Sequence, residues 1–202
     1  MAGHHHHHHR VPDDQPQYRR VLWLALIANS AMFVVEVIGG LGTGSTALLA
    51  DAVDFAGDAA NYGLSLAVLS MSLRRRAAAA LLKGASMALF GVLVLGRAAY
   101  AATQGIAPEP LAMGTIGVLA LAVNVGVALL LFRFRDGDAN RRSVWLCTRN
   151  DALGNIAVLI AAVGVFGTAS VWPDLAVAAG MAGLALFSSV VVIAHARREL
   201  AA

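Results

Sequence analysis

The chain has 202 residues, of which 58% are hydrophobic and 13% charged, with a formal net charge of +3 at pH 7. Its mean hydropathy of +0.69 is far above that of a soluble domain, so the composition excludes an ordinary soluble protein and indicates an integral membrane protein. The single cysteine excludes an internal disulfide. The excess of basic residues is better explained by membrane topology than by nucleic-acid binding, and no nucleic-acid partner is expected.

In chain order, an expression tag is followed by six apolar segments of membrane-spanning length. Residues 1–10, MAGHHHHHHR, are the tag and hold six of the seven histidines, which leaves His195 as the native one. Residues 11–20 form a polar N-terminal segment, residues 21–196 a six-helix transmembrane domain and residues 197–202 a short tail. The sequence therefore predicts an all-α membrane protein, a six-transmembrane-helix bundle. The predicted spans are 21–40, 46–71, 77–103, 111–132, 144–167 and 175–195.

Basic residues occur in alternate connections between the predicted spans. The other connections, around residues 42–44, 104–110 and 167–173, contain neither Lys nor Arg. By the positive-inside rule this distribution places both termini in the cytoplasm, with the bacterial inner membrane as the expected location. The arginines concerned are Arg19, Arg20, Arg74, Arg75, Arg76, Arg133, Arg135, Arg141, Arg142, Arg197 and Arg198.

The second span carries three aspartates in its first half. Asp51, Asp54 and Asp58 share one helical face, because Asp54 and Asp58 are one turn apart and Asp51 and Asp58 two turns apart. Each carboxylate at such a depth costs about 2.5 to 3.5 kcal/mol on insertion scales. The acidic face must therefore look into the bundle, where a cation would offset its charge.

The fifth span carries a matching polar face, with Cys147, Asp151 and Asn155 at one-turn intervals. At about 1.5 Å per residue, Asp58 lies roughly 18 Å below the outer boundary and Asp151 roughly 11 Å above the inner one. These heights nearly coincide in a hydrocarbon core of about 30 Å. The predicted mid-membrane metal site consists of Asp54, Asp58, Cys147 and Asp151, with Asp51 and Asn155 as flanking or proton-coupling groups.

Two such pairs of ligands, each spaced i, i+4, can surround a small divalent ion. Carboxylates with a thiolate suit Zn²⁺, and the sulfur favours Cd²⁺, whereas Mg²⁺ and Ca²⁺ prefer larger oxygen shells. In the absence of metal the crowded acids are expected to bind protons, so metal and protons would compete for one site. The alternative is that the acids are protonated and hydrogen-bonded to one another for structure.

Other polar residues inside the spans leave their roles open. Glu36, near the outer end of span one, is as well suited to snorkelling or capping as to an ion path. Asn124 is typical of hydrogen bonding between helices. Lys83 could snorkel to the cytoplasmic surface or pair with an aspartate of span two. The small residues Ala80, Gly84 and Ala88 permit close helix packing, either within the subunit or in a dimer.

Three stretches of the chain resemble signatures of the cation diffusion facilitator family. GGLGTGSTALLADAVDFAGD resembles its second helix, CTRNDALGNIAVLIA its fifth and WPDLAVAAGMAGLALF the start of its sixth. The resemblance implies divalent-metal/proton antiport, usually zinc export from the cytoplasm, by homodimers with alternating access. By position it assigns Asp54 and Asp58 to the second-helix ligand pair, and Cys147 and Asp151 to the fifth-helix pair.

The sequence departs from the family pattern at two points. Histidine is common in the family where Cys147 stands, which opens the zinc preference to Cd²⁺ and leaves Asn155 or water as alternatives for the fourth ligand. Family members usually carry a cytoplasmic metal-binding module after helix six, whereas this chain is expected to lack it. The connection SMSLRRR contains no acid or histidine, so one metal site per protomer is expected.

Three alternatives to a zinc/proton antiporter remain at this point. The same residues would serve a transporter of Fe²⁺, Co²⁺, Ni²⁺ or Mn²⁺. A passive metal-binding scaffold would bind without transport. An intramembrane aspartyl protease needs a catalytic aspartate in a G-x-G-D context, and the chain offers only Ala56, Gly57 and Asp58 there.

Overall fold

The computed structural model describes residues 15–67, 73–135 and 139–201, and this part of the chain forms six α-helices. Residues 1–14, which include the tag, and residues 70–72 of the connection SMSLRRR lie outside these ranges, and the interpretations given for them stay predictions. The fold class predicted from the sequence is confirmed. The helices are α1 (Gln15–Thr43), α2 (Thr46–Ala67), α3 (Leu73–Gln104), α4 (Pro110–Phe132), α5 (Ala139–Thr168) and α6 (Trp172–Ala201).

Several helices extend beyond the apolar segments that predicted them. Hydropathy marks only the part of a helix that crosses hydrocarbon, whereas backbone hydrogen bonding continues into the polar flanks. Helix α6, for example, begins at Trp172, so Asp174 lies in its first turn and not in the preceding loop. Five of the described helices are long and apolar enough to cross a membrane, and α2 fails that criterion because it holds three aspartates within 22 residues.

The bundle has two distinct ends. At one end, called the far end, the α1–α2 turn lies beside the starts of α4 and α6: the Glu109 amide donates to the Thr43 carbonyl at 3.0 Å. Gly44 makes this turn possible because it adopts a φ of 77°, a backbone conformation that residues with a Cβ rarely adopt. At the other end, called the terminal end, Tyr18 of α1 packs on Phe134 just after α4. The start of α1 and the end of α6 belong to the terminal end.

Helix α2 lies in the centre of the bundle, in contact with α1, α3, α5 and α6. Helices α1, α2, α4 and α5 pack together, and α3 packs mainly on α6. Gly84 of α3 meets α6 so closely that an added Cβ would lie 2.8 Å from Ile193 Cγ1. The small residue at this position therefore serves packing within the subunit, one of the two interpretations left open by the sequence.

Large apolar side chains cover the outer surface of the bundle. Ile27, Leu129, Val163 and Phe187 are all more than 60% exposed. In water such a surface would aggregate, whereas in a bilayer it faces acyl chains of similar polarity. The polar residues of the interior must then find partners inside the bundle, and this condition determines the candidate site.

Candidate metal-transport site

The central position of α2 explains how its three aspartates leave the lipid. Asp51 and Asp58 are buried, and Asp54 is partly buried beside a cavity. The prediction that this face looks into the bundle is confirmed. The three acids do not form one group, however, because each meets a different set of neighbours.

Asp58 meets Asp151 across the α2–α5 contact, with the two carboxyl groups within hydrogen-bonding distance. Their predicted equality of depth is therefore confirmed. The Tyr62 hydroxyl donates to Asp58 Oδ2 at 2.9 Å and lies 2.5 Å from Thr148 Oγ1 of α5. Asp58, Tyr62, Thr148 and Asp151 are called the Asp58 group below. Among them Asp151 Oδ2 is buried without a hydrogen-bond partner in the described structure.

Lys83 of α3 brings a positive charge to this group. Its Nζ donates a hydrogen bond to Asn61 Oδ1 of α2, and its ammonium group lies within electrostatic range of Asp58. Of the two interpretations drawn from the sequence, the structure favours a link to span two over snorkelling. The lysine offsets part of the negative charge that Asp58 and Asp151 bring together.

Asp54 and Asp151 border a cavity of about 590 Å³ between α2, α3, α5 and α6. Asn150 and Ser188 add polar groups to its wall, and Met87 and Met181 supply thioethers. Asp54 also lies within electrostatic range of Asp51, Asp58 and Asp151. A hydrated ion entering this cavity would therefore find the Asp54 and Asp151 carboxyl groups in its wall.

The predicted four-ligand site is only partly assembled. Cys147 belongs to α5, but its side chain is outside the described part of the structure, so its role as a ligand stays a prediction. Within residues 15–67, 73–135 and 139–201, no three His, Cys, Asp or Glu side chains converge closely enough to hold a metal ion. Asp58 and Asp151 are in contact, and Asp54 is their nearest acidic neighbour on the cavity side.

Asp51 and Asn155 form a separate group toward the far end. Asn155 Nδ2 donates to Asp51 Oδ2 at 2.5 Å, and Asn124 Nδ2 of α4 donates to Asn155 Oδ1 at 2.9 Å. Glu36 of α1 lies within hydrogen-bonding distance of Asp51 and is 0% exposed. These four residues are called the Asp51 group below.

The Asp51 group changes two interpretations made from the sequence. The suggestion that Glu36 snorkels or caps is wrong, because its side chain is fully enclosed by the bundle. The role of Asn124 in bonding between helices is confirmed. Asn155 is engaged by Asp51 on one side and Asn124 on the other, which leaves neither of its polar atoms directed at Asp151.

Sequence reasoning missed three buried polar residues that belong to the Asp58 group or contact the start of α2: Tyr62, Thr148 and Asp174. Tyr62 follows Asp58 by one turn, so extending the acidic face of α2 would have found it. Thr148 precedes Asp151 by three residues and therefore lies on the same face of α5, next to Cys147 in the sequence. Asp174 accepts from Ser45 Oγ at 2.6 Å and from the Thr46 and Ala47 amides at 2.7 and 3.1 Å, a contact between distant segments that no local pattern signals.

A family model for the cation efflux transmembrane domain matches residues 22–201, which is most of the chain. The chain belongs to the cation efflux family. This family consists of multi-pass membrane transporters and not of enzymes, which removes the aspartyl protease alternative. The resemblance to cation diffusion facilitators noted in the sequence is confirmed.

Curated relatives of this cation efflux protein are distant. The cadmium, cobalt and zinc/H(+)-K(+) antiporter of Bacillus velezensis is 27% identical over 186 residues, covering 84% of this chain and 59% of the relative. The antiporter of the same name from Bacillus subtilis is 26% identical, covering 77% and 55%. The metal cation efflux system protein CzcD of Cupriavidus metallidurans is 26% identical, covering 79% and 54%. The chain thus spans little more than half the length of these relatives.

Proposed function

We propose that this cation efflux protein exports divalent transition-metal cations from the cytoplasm in exchange for protons, with Zn²⁺ as the main substrate and Cd²⁺ as a second one. The observation that carries the proposal is the contact between the Asp58 and Asp151 carboxyl groups beside a partly open cavity between α2, α3, α5 and α6. Two acids in contact at low dielectric require a positive partner, which protons or a divalent ion can supply. The names of the relatives, which include zinc, cadmium and cobalt, support the same class of substrate.

The proposed ligands are Asp54, Asp58, Cys147 and Asp151. Asp54 would complete the shell after a small shift of α2 toward α5, since it already borders the same cavity as Asp151. The engagement of Asn155 with Asp51 and Asn124 favours Cys147 or water over Asn155 as the fourth ligand. Tyr62 would hold Asp58 in place by its hydrogen bond, whether the ion is present or not.

Exchange follows from competition for the same oxygens. A metal ion binds the deprotonated carboxylates and displaces their protons, so zinc affinity should fall as the pH is lowered. Access would alternate by movement of the α3–α6 pair relative to the other four helices, because the cavity lies between these two groups of helices. A homodimer formed through the transmembrane helices, with both termini in the cytoplasm, completes the proposal.

Transport in reconstituted vesicles tests the proposal, with a zinc indicator and a pH dye inside. Asp58→Asn and Asp151→Asn keep the side-chain volume and remove a charge, and each should lower zinc-driven proton movement at least tenfold. Glu109→Gln is the matched control, since this acid is exposed at the start of α4 and should leave transport unchanged. Zinc flux that persists in both aspartate variants would reject the site.

The main substrate is the second point to test, because cobalt appears in the names of two relatives. Titration of the purified protein with Zn²⁺, Cd²⁺, Co²⁺, Ni²⁺, Fe²⁺ and Mn²⁺ ranks the candidates. Cys147→Ser should weaken Cd²⁺ binding more than Zn²⁺ binding, because sulfur is the softer ligand. An unchanged ratio of the two affinities would mean that the thiol does not set selectivity.

A further inference from the structure

The Asp51 group contains more hydrogen-bond acceptor oxygens than there are donors on the surrounding helices. Glu36 is fully buried, and apart from the neighbouring Asp51 carboxyl group no described residue is a hydrogen-bond partner of its carboxyl oxygens. The Asn124 Oδ1 atom is also buried, and it has no hydrogen-bond partner in the described structure. Unsatisfied buried acceptors are costly, and a group placed only for structure would normally meet a hydroxyl, an amide or a basic side chain.

The direction of the two asparagine side chains follows from chemistry. When Asp51 is ionised, its carboxylate only accepts hydrogen bonds, so Asn155 turns its NH₂ group toward Asp51 and its oxygen toward Asn124. Asn124 must then use its own NH₂ group on Asn155, at 2.9 Å. The arrangement leaves the Asn124 oxygen free, as a consequence of the carboxylate at the other end of the chain of hydrogen bonds.

We propose that Glu36, Asp51 and Asn124 bind a second divalent cation through oxygen ligands alone, with Asn155 holding the Asp51 carboxylate in position. The ligands come from three helices, α1, α2 and α4, and Asn155 ties in a fourth, α5. Carboxylate and amide oxygens without sulfur or imidazole suit Mn²⁺, Mg²⁺ and similar ions better than soft ones.

The second site is distinct from the Asp58 group. Asp51 precedes Asp58 by seven residues, about 10 Å along a helix, and Asn155 lies one turn beyond Asp151 in the same direction. Glu36, Asp51 and Asn155 are also absent from the wall of the cavity that Asp54 and Asp151 border. Asp54 lies within electrostatic range of Asp51, Asp58 and Glu36, so it stands between the two sites.

The role of the second site in transport rests on the proposed function, whereas metal binding at this site does not. If the protein exports metal toward the far end, the second site is the next position that an ion occupies after leaving the Asp58 group. Binding can be measured without transport, so loss of one conclusion does not imply loss of the other.

Mn²⁺ binding to the purified chain tests the proposal, because free and bound Mn²⁺ differ in their electron paramagnetic resonance signal. We expect two Mn²⁺ per chain in the unaltered protein. Glu36→Gln keeps the side-chain shape and should weaken one of these sites at least tenfold while zinc affinity at the other changes less than twofold. Asp58→Asn should show the reverse pattern.

The control is Asn29→Ala, which also removes a buried polar group from α1. Asn29 donates to the Ala25 carbonyl of its own helix and lies two turns from Glu36, so Mn²⁺ binding should not change. If Glu36→Gln does not fold, Asn124→Ala removes the free amide oxygen instead and should weaken the same site at least fivefold. A single Mn²⁺ per chain that Zn²⁺ displaces and Glu36→Gln leaves unaffected would overturn the proposal, and would mean that Glu36 and Asp51 share a proton instead.

Discussion

The acids inside this bundle differ in the donors that reach them. Asp58 accepts from Tyr62 and lies within electrostatic range of Lys83, whereas among the described residues Glu36 has no partner besides the Asp51 carboxyl group. Asp54 borders the cavity between α2, α3, α5 and α6. A hydrogen bond to a charged group contributes about 1.5 to 3 kcal/mol, so these differences are large enough to separate the behaviour of neighbouring carboxylates.

Tyr62→Phe tests this view at a single hydroxyl. Loss of the Tyr62 hydroxyl removes the donor to Asp58 and the contact with Thr148, so the Asp58 carboxylate should become less well ordered for metal binding. We expect zinc affinity to fall by about tenfold, equivalent to about 1.4 kcal/mol. Isothermal titration in detergent measures the change. Tyr100→Phe, at an exposed tyrosine of α3, should leave affinity unchanged, and an equal effect of both variants would argue against the hydroxyl.

At the scale of the helices, Asp174 joins α6 to the start of α2. The first amides of a helix lack partners within that helix, and here the Asp174 carboxylate accepts from two of them and from the Ser45 hydroxyl. Helix α2 carries the three aspartates, so this contact helps to set the height and rotation at which they face α5. The link also closes the bundle at the far end.

Asp174→Ala should destabilise the protein by about 2 to 3 kcal/mol, since it leaves buried donors without an acceptor. Glu109→Ala is the comparison, because Glu109 caps α4 in the same way through the Leu111 and Ala112 amides but is exposed to solvent. Water can replace the exposed cap, so its loss should cost about 1 kcal/mol or less. Thermal unfolding in detergent measures both, and equal losses would show that burial of the cap is unimportant.

Across the whole molecule, charge and helix number together determine the expected orientation. Six helices return the chain to the side where it began, and the basic connections occupy that terminal end. The positive-inside rule then predicts that the terminal end faces the cytoplasm and the far end the outside. Export toward the far end depends on this orientation.

Cysteine labelling in whole cells checks the orientation, with Cys147→Ser as the background. Ile106→Cys lies in the α3–α4 connection at the far end, where Ile106 is 74% exposed. Arg198→Cys lies on the exposed surface near the end of α6. A membrane-impermeant maleimide should label the first in intact cells and the second only after permeabilisation. The opposite pattern would reverse the proposed direction of transport.

The sequence alone determined the features that depend on local spacing and polarity. The six helices follow from apolar length, and the shared face of Asp51, Asp54 and Asp58 follows from helical periodicity. The meeting of Asp58 with Asp151 also followed, because depth in a membrane can be counted along the chain from the boundary. A bilayer supplies a fixed frame that soluble proteins lack.

Only the tertiary structure decided how the polar residues are divided among partners. The rotation of each helix and the choice of its neighbours place Asp51 with Glu36, Asn124 and Asn155, and Asp58 with Tyr62 and Thr148. The attachment of Asp174 to the start of α2 likewise joins segments far apart in sequence. Spacing along one helix gives the face on which a side chain lies, but the partner opposite that face depends on the packing of the whole bundle.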